Sequence, residues 1–133
     1  MFSHIMIGAR DFTGLTNFYD KVLSPLGLVR SEVPASASIW HYPGQRWPLF
    51  AIREPFNGLP ATWGNGTQVS FSAASVETVD EVWKRAIEAG GADEGKPGLR
   101  PQYAEDYYGA YFRDPEGNKL CVVHVGGLPA QPT

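Results

Sequence analysis

A strand-then-helix pattern occurs twice in this 133-residue chain, with the two copies 64 positions apart. His4 falls on Gln68, Ala9 on Ala73, Leu15 on Val79, Phe18 on Val82, Tyr19 on Trp83 and Gly27 on Gly91, with no gap needed. An internal repeat constrains architecture before any local propensity does, because both copies must fold to one shape. The first copy opens with a short apolar strand over residues 4–9. Asp11 or Thr13 can cap the helix that follows, on which Leu15, Phe18, Tyr19, Val22, Leu23 and Leu26 recur at helical spacing. Ser24-Pro25 and Gly27 end it, since proline cannot donate and glycine accepts a left-handed cap. Strands are predicted over residues 28–33, 38–42 and 47–53, punctuated by Pro34, Pro43-Gly44 and Pro55. The first copy therefore reads βαβββ.

After a Gly-, Pro- and Asn-rich loop at residues 57–66 the pattern restarts. A strand is predicted over 68–73, then a helix capped by Ser75, carrying Val79, Val82, Trp83, Ala86 and Ile87, and ended by Gly90-Gly91. Residues 94–103, broken by Gly95, Pro97, Gly98 and Pro101, are predicted as an irregular loop of the kind that tends to be functional. A hairpin closes the copy, with arms 107–113 and 119–125 joined by Asp114-Pro115-Glu116-Gly117-Asn118. Alternation turns Cys121 to the face opposite Leu120 and Val122. The expected fold is α+β: one domain over residues 1–133, built of modules at about 1–56 and 66–126. One helix per module cannot cover both faces of its sheet, so the curved sheets are expected to form a cup.

Composition limits the functions open to such a fold. With 43% hydrophobic and 19% charged residues the chain is an ordinary soluble composition, and its net charge of -3 gives no electrostatic reason to expect nucleic acid as a partner. No apolar run approaches a membrane span and no signal-peptide pattern opens the chain, so a cytoplasmic protein without a membrane partner is expected. A single cysteine allows no internal disulfide, which suits a reducing compartment.

A strand opening with His4, a helix bearing Phe18-Tyr19 and ending at Leu26-Gly27, and a closing Arg113-Asp114-Pro115-Glu116-Gly117-Asn118-Lys119-Leu120 together resemble the vicinal oxygen chelate superfamily. This superfamily holds glyoxalase I, bleomycin- and fosfomycin-resistance proteins and extradiol dioxygenases. The resemblance runs from His4 to about His124, and residues 95–101 with Tyr107–Tyr111 look like a glyoxalase-like bacterial branch. It implies a homodimer, a small-molecule ligand in the cup, and in metal-dependent members a divalent ion (zinc, nickel, iron or manganese) held by the first and last strands of each module. Carried over by position, it makes His4, Gln68 and Cys121 the candidate metal ligands. Cys121 stands where the family usually has glutamate. On the last strand of the first module the nearest carboxylate is Glu54, whose register is open and which is the candidate general base. One imidazole, one amide and one thiol are a poor set for magnesium, manganese or nickel, whereas zinc or iron accept a thiolate.

Each residue also has a plainer account. Cys121 can be a small buried hydrophobe and Glu54 a solvated strand-end carboxylate. His124 is expected to be structural or at an interface, and His41 to lie on the surface. Trp40, Trp47, Phe50, Tyr103, Tyr108 and Tyr111 are candidates to line an apolar pocket, with core packing an equal account of some. Arg100 and Arg113 can clamp an anionic substrate, though Arg113 can as readily form a hairpin-end ion pair. Two functions stay open. One is a glyoxalase-like lyase or dioxygenase-type metalloenzyme with a degraded metal site, and the other is a metal-free protein that sequesters a small molecule.

Overall fold

Each copy of the repeat folds into an open four-stranded sheet backed by one helix in the computed structural model, which describes residues 1–31 and 36–129. The first module runs β1 (His4–Gly8), α1 (Phe12–Leu23), a 3-10 turn (Ser24–Leu26), β2 (Val29–Arg30), β3 (Ala37–His41) and β4 (Leu49–Arg53). The second runs β5 (Gln68–Ser72), α2 (Val76–Glu88), β6 (Ala92–Leu99), β7 (Tyr108–Arg113) and β8 (Lys119–His124). Strand order is β1-β4-β3-β2 in one sheet and β5-β8-β7-β6 in the other, and in both the first strand pairs parallel with the last. The fold is thus α+β, with two similar βαβββ modules. Neither sheet closes, which is consistent with the walls of a cup.

Local chemistry explains the element boundaries. The Asp11 carboxylate accepts the Gly14 N–H at the start of α1, and the Ser75 hydroxyl accepts the Thr78 N–H at the start of α2. These bonds satisfy amides that a helix otherwise leaves orphaned. The 3-10 turn closes α1 on Gly27, whose φ of 84° is left-handed. Leu15, Phe18, Tyr19 and Val22 of α1 meet Val79, Val82 and Ala86 of α2 in one core that also holds Phe50, Phe112, Leu120 and Val122. The Phe50 and Phe71 rings, from different modules, meet edge-on at 5.2 Å.

Three predicted segments differ. The strand predicted at 47–53 begins at Leu49, whose N–H is the first to pair, because Pro48 has none to give. The strand predicted at 28–33 is Val29–Arg30 among the described residues, with 32 and 33 outside them, as is Pro34. The loop predicted at 94–103 is in large part strand β6. It pairs with β7 through register shifts between Asp93 and Gly95 and between Gly95 and Gly98, so its glycines serve bulges rather than ending the strand.

The Asp114–Asn118 connection ties the modules together. Asp114, only 3% exposed, accepts the Glu116 and Asn118 N–H groups, the Asn118 side-chain amide and, at 2.6 Å, the Tyr19 hydroxyl from α1. Glu116 in turn accepts the N–H groups of Arg10 and Asp11 at 2.7 and 2.9 Å, just ahead of α1. A carboxylate there also meets the positive end of the helix dipole.

Candidate functional site

The uncovered face of the second sheet carries a cleft of about 560 Å³. Parity puts Gln68, Ser70, Lys119, Cys121, Tyr111 and Gly109 on one face, because register partners such as Gln68 and Lys119, or Tyr111 and Cys121, point the same way. Gln68, Tyr111 and Lys119 line the cleft from the sheet, and Glu94, Arg100, Tyr103 and Tyr107 line it from β6 and the connection to β7. All of these belong to the second module. The cleft is therefore narrower in origin than a cup drawn from both modules.

Its floor is a chain of hydroxyls over a thiol. Tyr107 Oη lies 3.0 Å from Tyr111 Oη and 3.5 Å from Cys121 Sγ, and Cys121 is fully buried beneath. Burial, then the hydrogen bonds to Cys121 and Tyr111, raise the Tyr107 phenol well above its ordinary pKa. Burial also raises that of Tyr111. Both are neutral hydroxyls at physiological pH. Charge in the cleft comes from elsewhere. The Arg100 guanidinium and the Lys119 ammonium stand 5.7 and 5.8 Å from the centre of the Tyr111 ring, in reach of cation–π attraction. Neither forms an ion pair among the described residues. Glu94 does, with Arg113 at 2.6 Å, so its charge is balanced and the cleft is net positive.

Glycines build the seat of Arg100. A Cβ on Gly95 would meet Arg100 Nη2 at 3.2 Å, and one on Gly98 would meet Nη1 at 3.1 Å. Nη2 donates to the Lys96 carbonyl at 2.7 Å, which holds the guanidinium over the bulged strand. The missing Cβ of Gly109 likewise admits the Tyr107 ring, which would stand 2.8 Å from it.

The residues singled out from the sequence fall in different places. Gln68, Arg100, Tyr103 and Tyr111 line the cleft, with Cys121 below its floor. Tyr108 alternates to the helix side, where its hydroxyl donates to Asp80 at 2.6 Å. Trp40 and Phe50 are core residues, 1% and 4% exposed, and the Trp40 indole donates to Asp20. Their edges reach an apolar hollow of about 160 Å³ instead. Exposed Trp47 lies beside His4, with ring centres 5.8 Å apart and planes tilted by 43°. His4 is exposed on the first sheet and bonded to Ser3, while Glu54 is exposed past the end of β4, beside Phe12 and Phe56. Arg113 takes the hairpin-end role, bonding Glu94 and the Gly117 carbonyl. His124 braces the Ala73 carbonyl, and His41 is half-buried between Ser31 and the Tyr42 carbonyl. Sequence reasoning did not single out Lys119 or Tyr107, although alternation makes both legible, Lys119 through its parity with Cys121 and Tyr107 through its parity with Tyr111 along the predicted arm 107–113.

Register also identifies the first-module position equivalent to Cys121. His4 pairs with Leu49 and Gln68 with Lys119, so two residues further on Ala51 matches Cys121. Ala51 has no donor atom, and Glu54 is not the equivalent position. The four equivalent positions thus offer an imidazole, an amide, a methyl group and a buried thiol, with the Lys119 ammonium on the same face. Among the described residues no three His, Cys, Asp or Glu side chains converge. This donor set does not fit an octahedral divalent ion, which needs several oxygen or imidazole ligands.

The profile of the Glyoxalase/Bleomycin resistance protein/Dioxygenase superfamily matches residues 1–122. The chain belongs to this superfamily. A crystal structure of a glyoxalase/bleomycin resistance protein from Albidiferax ferrireducens T118 is 39% identical, with a TM-score of 0.83, covering 94% of this chain and 98% of that one. A family enzyme from Burkholderia phytofirmans PsJN (20% identity, TM-score 0.71, 92% and 97% covered) shares the fold. So does a lactoylglutathione lyase from Agrobacterium tumefaciens (22%, 0.65, 97% and 98%). No curated protein matches.

Proposed function

We propose that this superfamily member binds a small organic molecule in the second-module cleft and does so without a resident metal ion. The observation that carries the reading is the equivalence of Ala51 and Cys121, one lacking a donor and the other sealed under Tyr107. A cleft of about 560 Å³ is of the size that holds small ligands. Catalysis by Glu54 has no support in its position, since it lies with Phe12 and Phe56 in a separate hollow. No helix among the described residues is long and apolar enough to cross a membrane, and a buried lone cysteine suits the cytoplasm we assign to it. A homodimer is part of the proposal, supported by Met6 and Val29 standing exposed on the uncovered face of the first sheet.

Elemental analysis of gently purified protein tests the reading. Zinc, nickel, iron and manganese should each be well below one per chain, and chelator should leave the melting temperature and any ligand-induced rise in it unchanged. Stoichiometric metal that resists dialysis, or a melting temperature that falls with chelator, would overturn it.

A further inference from the structure

We propose that the ligand is a small aromatic acid, its anionic group seated on Arg100 in the field of Lys119 and its ring laid against the tyrosines of the cleft. The proposal deepens the binding reading above and rests on it. A guanidinium with no carboxylate partner among the described residues, held in place by a backbone carbonyl and two residues without Cβ, is a preorganised anion anchor. Such an arrangement spends little rotamer entropy when an anion arrives. Lys119 adds a second positive charge, also without an ion-pair partner among the described residues, from β8, on the other strand neighbouring Tyr111. Glu94, the single carboxylate lining the cleft among the described residues, is occupied by Arg113 and does not compete for Arg100.

The aromatic half of the proposal comes from Tyr103 and Tyr107. Their ring centres are 5.2 Å apart, and Tyr103 is 64% exposed, an aromatic ledge at the cleft that the core does not use. A planar ring can stack there while an attached acid reaches Arg100. With the Tyr107 and Tyr111 hydroxyls bonded to each other, the one that accepts in that bond keeps its own proton to donate to an oxygen of the acid, which a negatively charged phenolate could not do. A cationic ligand would meet two like charges in the same space.

The test uses the full chain and four probes that share one ring: benzoate, phenyl phosphate, benzamide and benzylamine. Binding is followed by calorimetry and by thermal shift at low and high salt. Benzoate or phenyl phosphate should bind in preference to benzamide and benzylamine, with affinity falling as salt rises. Whichever of the two anions is tighter identifies the acid group. Arg100→Gln and Lys119→Gln should each weaken that anion by about tenfold or more, with unliganded melting temperatures close to wild type. The proposal is overturned if benzamide or benzylamine binds as well as the anions, if neither anion binds at millimolar concentration, or if both variants bind like wild type. Its failure differs from failure of the metal-free reading. Chelator-sensitive binding of an anion would sink only that reading, and chelator-insensitive preference for a neutral ring would sink only this one.

Discussion

Asp114 concentrates more structural consequence than any other charged side chain described. It is a buried carboxylate, and a buried charge is tolerated only when its hydrogen bonds are complete. Here two backbone amides, an asparagine amide and the Tyr19 hydroxyl complete them. Asp114→Ala strands those donors and should cost about 3 kcal/mol or more, measured by urea denaturation. Tyr19→Phe removes one charged hydrogen bond, for about 1–3 kcal/mol at neutral pH. The two variants differ in base. Burial, followed by the charge of Asp114, holds the Tyr19 phenol well above its usual pKa. A raised folded-state pKa means the stabilisation is complete below the unfolded tyrosine value of about 10 and is lost as pH climbs beyond it. The gap between wild type and Tyr19→Phe should therefore narrow above pH about 10, by up to about 1.4 kcal/mol per pH unit. A gap that stays constant to pH about 11 would show that Tyr19 does not titrate this way.

Strands β6 and β7 are where the cleft is made, and a single methyl group tests how. Gly109→Ala places a Cβ against the Tyr107 ring, which must swing aside because the neighbouring Val122 carbonyl, 3.4 Å from that Cβ, belongs to the sheet. Tyr107 is the lid on Cys121, so the variant should react with a thiol reagent while folded, when wild type is inert. Unchanged labelling rates in the folded variant would remove Tyr107 from that role. The repeat made the order of elements legible, since capping and apolar spacing recur in both copies. What it did not make legible has physical causes. Gly95, Pro97 and Gly98 are weak strand formers, yet pairing with β7 carries them as a bulged strand, a tertiary override of propensity. Tyr108 and Tyr111 differ by an odd number of residues on one strand and so cannot share a face, which period-two alternation states directly. Glu54 was suggested by nearness in sequence. The offset between modules is 64 at β1 and β5 but has grown to 70 at Leu49 and Lys119, so only register finds Ala51.

At the scale of the whole molecule the two modules are halves of one core, and that fixes how the chain should unfold. Phe50 and Phe71 touch across the modules, α1 packs on α2, and Glu116 of the last hairpin grips the backbone ahead of α1. Removing either half would expose buried faces of the other, including Val82 and Phe112, both fully buried now. Independent melting of the modules would leave that apolar surface in water at about 25 cal/mol per Å². Calorimetry should show a single transition, with the van't Hoff and calorimetric enthalpies of the cooperative unit in agreement. Two resolved transitions would mean that the modules are separate domains joined in name only. If a second copy covers Met6 and Val29, as proposed, the same transition must also move upward as protein concentration rises, because association stabilises only the folded chain. A melting temperature independent of concentration over a hundredfold range, together with one-chain mass by light scattering, would refute the homodimer. The shared core would be left standing, because its cooperativity is internal to the chain.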